Sequence, residues 1–128
     1  RIYTGLYQSQ GERLCSVLPD QHISVAAWIG QLEERVGNPA TTPILLLGND
    51  LRIHRQTFLD ADSALQFQFG HAEQNLPDVV YMGRVAAKQI EAGHLTYEAE
   101  DVEQFQPHYL RMAEAEVKWL AKQQEGRA

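Results

Sequence analysis

The segment that most constrains the fold is Pro43-Ile44-Leu45-Leu46-Leu47-Gly48-Asn49-Asp50. Four apolar residues in a row, closed by a proline on one side and a Gly-Asn-Asp turn on the other, are strand-sized. A continuous apolar run of this kind suits a strand buried on both faces, as in sheets covered by helices on either side. With the elements around it, it points to an α/β arrangement.

The flanking patterns agree. Residues 2–8 are rich in β-formers, residues 9–12 form a polar turn, and residues 13–18 read as the returning strand of a hairpin, interrupted by Pro19 and Asp20. Ser24 is placed to cap a helix whose apolar positions Val25, Trp28, Ile29, Leu32 and Val36 recur at three and four; Gly37-Asn38-Pro39 should stop it. Asp50 is placed to cap a short helix over residues 51–59. Residues 64–69 alternate cleanly, which predicts a strand with one face covered. Pro77-Asp78 opens a helix with Val79, Met82, Ala86 and Ile90 on one face, and Gly93 stands where a C′ glycine belongs. Residues 96–106 are acidic and read as extended or loop, and a last helix follows, with Glu114 four residues before Lys118. The expected architecture is α/β, a mixed sheet flanked by helices, in one domain of 128 residues.

Composition narrows the function. The formal net charge is −6, and the eleven basic residues are scattered. A chain that binds nucleic acid on its own needs a basic face to neutralise phosphates, so direct nucleic-acid binding by this chain alone is disfavoured. The single cysteine, Cys15, excludes an internal disulfide and fits a reducing cytosol. No apolar run reaches membrane-spanning length, so no membrane association is expected. Arg1 leads straight into the first strand, which suggests that an N-terminal half precedes this segment.

Candidate chemistry is sparse. The five histidines, His22, His54, His71, His94 and His108, form no i, i+4 metal pair. His71-Ala72-Glu73 echoes the His-x-Glu of zinc deaminases but lacks the Pro-Cys-x-x-Cys partner, so solvated or structural histidines are the better reading. Cys15 lacks a glycine-rich turn and a paired histidine and reads as a buried structural residue. Gly48, Asn49 and Asp50 follow a strand and precede a helix, where α/β folds place ligands. They lack a Walker or Rossmann glycine pattern, so backbone relief at Gly48 and capping by Asn49 or Asp50 are preferred to nucleotide binding. Trp28 and Trp119 read as core or interface anchors. The acidic run Glu98, Glu100, Asp101 and Glu103 reads as solvated. No cofactor and no metal is expected.

The tail carries a resemblance. Pro107, then Tyr109-Leu110-Arg111, then Ala113-Glu114-Ala115-Glu116 and Lys118-Trp119-Leu120, resembles the C-terminal signature of the TsaB family of bacterial tRNA threonylcarbamoyladenosine biosynthesis proteins. The opening Arg1-Ile2-Tyr3 through Tyr7 is similar to the hairpin that begins the second lobe of that family. The strand ending in Gly48 and the helix between Pro77 and Gly93 match later parts of the lobe. The resemblance implies that residues 1–128 are a single C-terminal lobe of a two-lobed protein. The implied fold is a ribonuclease H-like, actin-like ATPase lobe. The family's first lobe, with its Asp-Thr-Ser start and glycine-rich segment, has no counterpart here.

The implied function is a non-catalytic, cytoplasmic scaffold that supports TsaD in modifying tRNA beside the anticodon, with TsaE joining them. The family pairs mainly through its first lobe, so no binding residues carry over, and self-association is left open. Pro107, Tyr109, Leu110 and Arg111 carry over only as structural positions, expected to dock the last helix against the sheet. The rival readings are a nucleotide-binding lobe of an actin-like or sugar-kinase-like enzyme using Gly48, Asn49 and Asp50, and an unrelated protein-interaction domain.

Overall fold

The computed structural model describes residues 1–36, 42–94 and 103–125. It has strands β1 (Ile2–Gln10) and β2 (Arg13–Ile23), helix α1 (Val25–Arg35), strand β3 (Ile44–Leu46), helix α2 (Leu51–Leu59), and strand β4 (Phe67–Phe69). A 3₁₀ turn (Ala72–Asn75), helix α3 (Val79–Glu91) and helix α4 (Glu114–Glu125) complete the described elements. The stop expected at Gly37-Asn38-Pro39 and most of residues 96–106 lie outside the described residues. The architecture is α/β with small sheets. In place of one mixed sheet, the described strands form two pairs, β1 with β2 antiparallel and β3 with β4 parallel. The chain divides into two compact units, one holding Arg1–Ser24 with the tail from Gln106, the other Val25–Phe105.

In the first unit, Gly11 takes φ 63° at the hairpin tip, a conformation that glycine adopts without a Cβ clash. The second strand does not stop at Pro19 and Asp20. It runs on to Ile23, because the register absorbs the proline: Leu6 pairs with Leu18 and Thr4 with Gln21, so Pro19 and Asp20 together face Gly5. That is a β-bulge, a position that tolerates a residue unable to donate to the ladder. A second register shift follows between Leu6 and Tyr7. Cys15 is half-buried, its Sγ 3.6 Å from Gln10 Oε1, rather than fully buried.

The second unit holds the core. Val25, Trp28, Ile29 and Leu32 of α1 are all buried, Leu32 completely, with Ile44, Phe58 and Leu65 beside them. The three-four spacing puts the α1 residues on one stripe facing inward. Parallel strands cannot be joined by a tight turn, and α2 supplies the crossover between β3 and β4. Phe58 of α2 meets Phe67 of β4 edge-on, with centroids 5.2 Å apart. Arg55 lies 4.1 Å over the Phe69 ring, a cation–π contact.

Strand β3 departs from expectation. Ile44 is buried, but Leu45 is 52% exposed and Leu47 beyond the strand 54%. Only one of its faces meets the core of its unit, so the run alternates despite being apolar throughout. Leu65, Phe67 and Phe69 point inward while Gln66 and Gln68 point out, as their alternation predicts. Trp119 is 58% exposed and anchors no core within the described residues.

Candidate functional site

The candidate turn lies at the carboxyl ends of β3 and β4, the edge where parallel α/β sheets hold ligands. Gly48 has φ 149°, which only glycine adopts without strain. Its N–H donates to the Asn75 side-chain oxygen at 3.1 Å, and the Asn75 amide donates to the Gly70 carbonyl at 3.3 Å. Gly70 in turn donates its N–H to the Leu46 carbonyl at 3.0 Å. One side chain therefore ties the exits of both strands. A Cβ at Gly70 would meet the tip of the exposed Leu47 side chain, which would have to swing aside.

These bonds settle the local geometry of Gly48, Asn49 and Asp50. The Gly48 N–H is committed to Asn75, and Leu51 N–H donates back to the Gly48 carbonyl at 3.2 Å. Amides that cradle a phosphate must point outward together; here two of them are engaged within the protein. Asp50 occupies the N-cap position of α2, but its side chain makes no capping hydrogen bond. Capping of α2 is therefore positional, contrary to the side-chain role expected for Asp50. Asn75 was invisible as a partner in the sequence, because the contact spans 27 residues and depends on the 3₁₀ turn.

That 3₁₀ turn also accounts for His71-Ala72-Glu73. His71 is the N-cap residue: its N–H donates to Gln74 Oε1 at 2.9 Å, and Gln74 N–H returns a bond to the His71 carbonyl. Among the described residues no group of three His, Cys, Asp or Glu side chains is placed to hold a metal ion.

Two polar arrangements mark the hairpin unit. Tyr7 donates its hydroxyl to Asp20 Oδ1. This bond holds the phenol above its usual range, with desolvation and the carboxylate charge adding to it. Toward the open end of the hairpin His22 stacks on Tyr3, centroids 4.6 Å apart, while Arg1 donates to the His22 carbonyl at 2.8 Å. His22 is pushed below its ordinary value, first by desolvation and then by the positive charges of Arg1, Arg111 and the N-terminal ammonium.

Of the tail positions, Tyr109 is 79% exposed, Pro107 is exposed and Leu110 half-buried. Arg111, three residues before α4, pairs with Glu114 at its first residue at 3.8 Å, both side chains exposed. Glu98, Glu100 and Asp101 lie outside the described residues, and Glu103 is exposed. No described helix is long and apolar enough to cross a membrane.

The fold and the site together define an α/β protein whose strand-end turn is braced by its own side chains. No protein-family model matches the chain, and no solved structure does. Over 126 residues, however, the chain is 35% identical to the tRNA threonylcarbamoyladenosine biosynthesis protein TsaB of Bacillus subtilis (strain 168), a match covering 96% of the chain and 48% of that protein. The chain is thus similar to TsaB along nearly its whole length, and the match is consistent with a C-terminal TsaB domain. It spans about half the length of the curated relative it matches.

Proposed function

We propose that this chain is the C-terminal lobe of a two-lobed TsaB-type scaffold that serves tRNA threonylcarbamoyladenosine modification in the cytoplasm. The observation that carries the reading is the 35% identity sustained over 126 residues. The lobe would have a ribonuclease H-like, actin-like ATPase fold. It would support TsaD, with TsaE as a further partner, and perform no chemistry itself. The engaged Gly48 N–H supports a structural turn over a nucleotide cradle. The scattered basic residues support a lobe that does not grip tRNA alone. Pro107, Tyr109, Leu110 and Arg111 would act structurally, Arg111 by tying its turn to the start of α4 through Glu114.

The test is a chimera in which this chain replaces the segment it matches in the Bacillus subtilis protein, expressed in cells depleted of their own TsaB. Restored threonylcarbamoyladenosine in tRNA digests, with the chimera co-purifying with TsaD, is the expected result. A chimera that accumulates in folded form yet restores no modification overturns the proposal.

A further inference from the structure

We draw no further inference here: the strongest candidate, the open groove between α1 and α2 lined by Gly30, Glu33, Gln56, Asp60 and Asp62, is distinguished only by an exposed acidic rim, and nothing in the structure shows what covers it.

Discussion

Tyr7 and Asp20 meet across the bulge of the β1–β2 hairpin, the tyrosine hydroxyl donating to the carboxylate. The contact exists because the bulge sets Pro19 and Asp20 opposite Gly5 alone. Gly5 has no Cβ, and a Cβ there would collide with Asp20 Oδ1 and come within 3.0 Å of the Tyr7 ring.

Gly5→Ala should therefore push the carboxylate aside and break the bond. The Tyr7 phenol should return toward its ordinary value of 10.0 in an ultraviolet titration. Because the folded-state pKa is raised, the bond stabilises the hairpin fully below that ordinary value. The stabilisation is lost as pH climbs through the folded value. Tyr7→Phe should cost less than about 1 kcal/mol at neutral pH, since the pair is exposed. An unshifted phenol in Gly5→Ala would contradict the geometry.

His22 titrates in the opposite sense. Its folded pKa lies below the ordinary 6.5, so the unfolded chain takes up the proton first. Its stabilisation is present above pH 6.5 and is lost as pH falls through the lower folded value. Removing the nearby charge with Arg111→Gln should raise the His22 pKa, read from its ring protons by NMR. No movement of His22 would separate Arg111 from this edge of the hairpin.

Asn75→Ala should release Gly48 and Gly70 together. Losing these part-buried bonds should cost about 1–3 kcal/mol. It should also speed hydrogen exchange at the Gly48 amide more than at Ile44, whose N–H donates to the Gln66 carbonyl. Equal protection at both amides would remove Asn75 from its bracing role.

In the core, Leu32→Ala should cost about 2–5 kcal/mol in denaturant unfolding, because Leu32 is completely enclosed. Gly30 on the same helix has open space where a Cβ would go. Gly30→Ala should stabilise α1 by about 0.5–1 kcal/mol.

The helices of this chain were legible residue by residue. The α1 stripe is buried as its spacing implies. Gly93 takes φ 71° and closes α3 through His94 N–H to Gln89 O and Gly93 N–H to Ile90 O, a Schellman ending. Asp78 caps the same helix as Pro77-Asp78 suggested. Such features depend on neighbours within a turn or two, and the local code suffices for them.

The strand-end site was half legible. Gly48, Asn49 and Asp50 were found where strand gives way to helix, but their partner was not, and Asp50 makes no side-chain cap. Pro19 was misleading for a related reason. A proline ends a strand by removing a donor, unless the opposing strand is offset by one residue, and that offset depends on where Gly5 falls across the hairpin.

By itself, then, the amino-acid sequence determined the kinds of element, the buried stripe of α1, the endings of α3 and the kinship carried by the tail. Those follow from local sterics, periodicity and motif. Only the tertiary structure decided that Leu45 and Leu47 face outward while Ile44 is buried, and that Asn75 ties two strand exits together. Hydropathy records which side chains prefer to leave water. Which of them do so depends on the elements that pack against each face, and those elements come from distant parts of the chain.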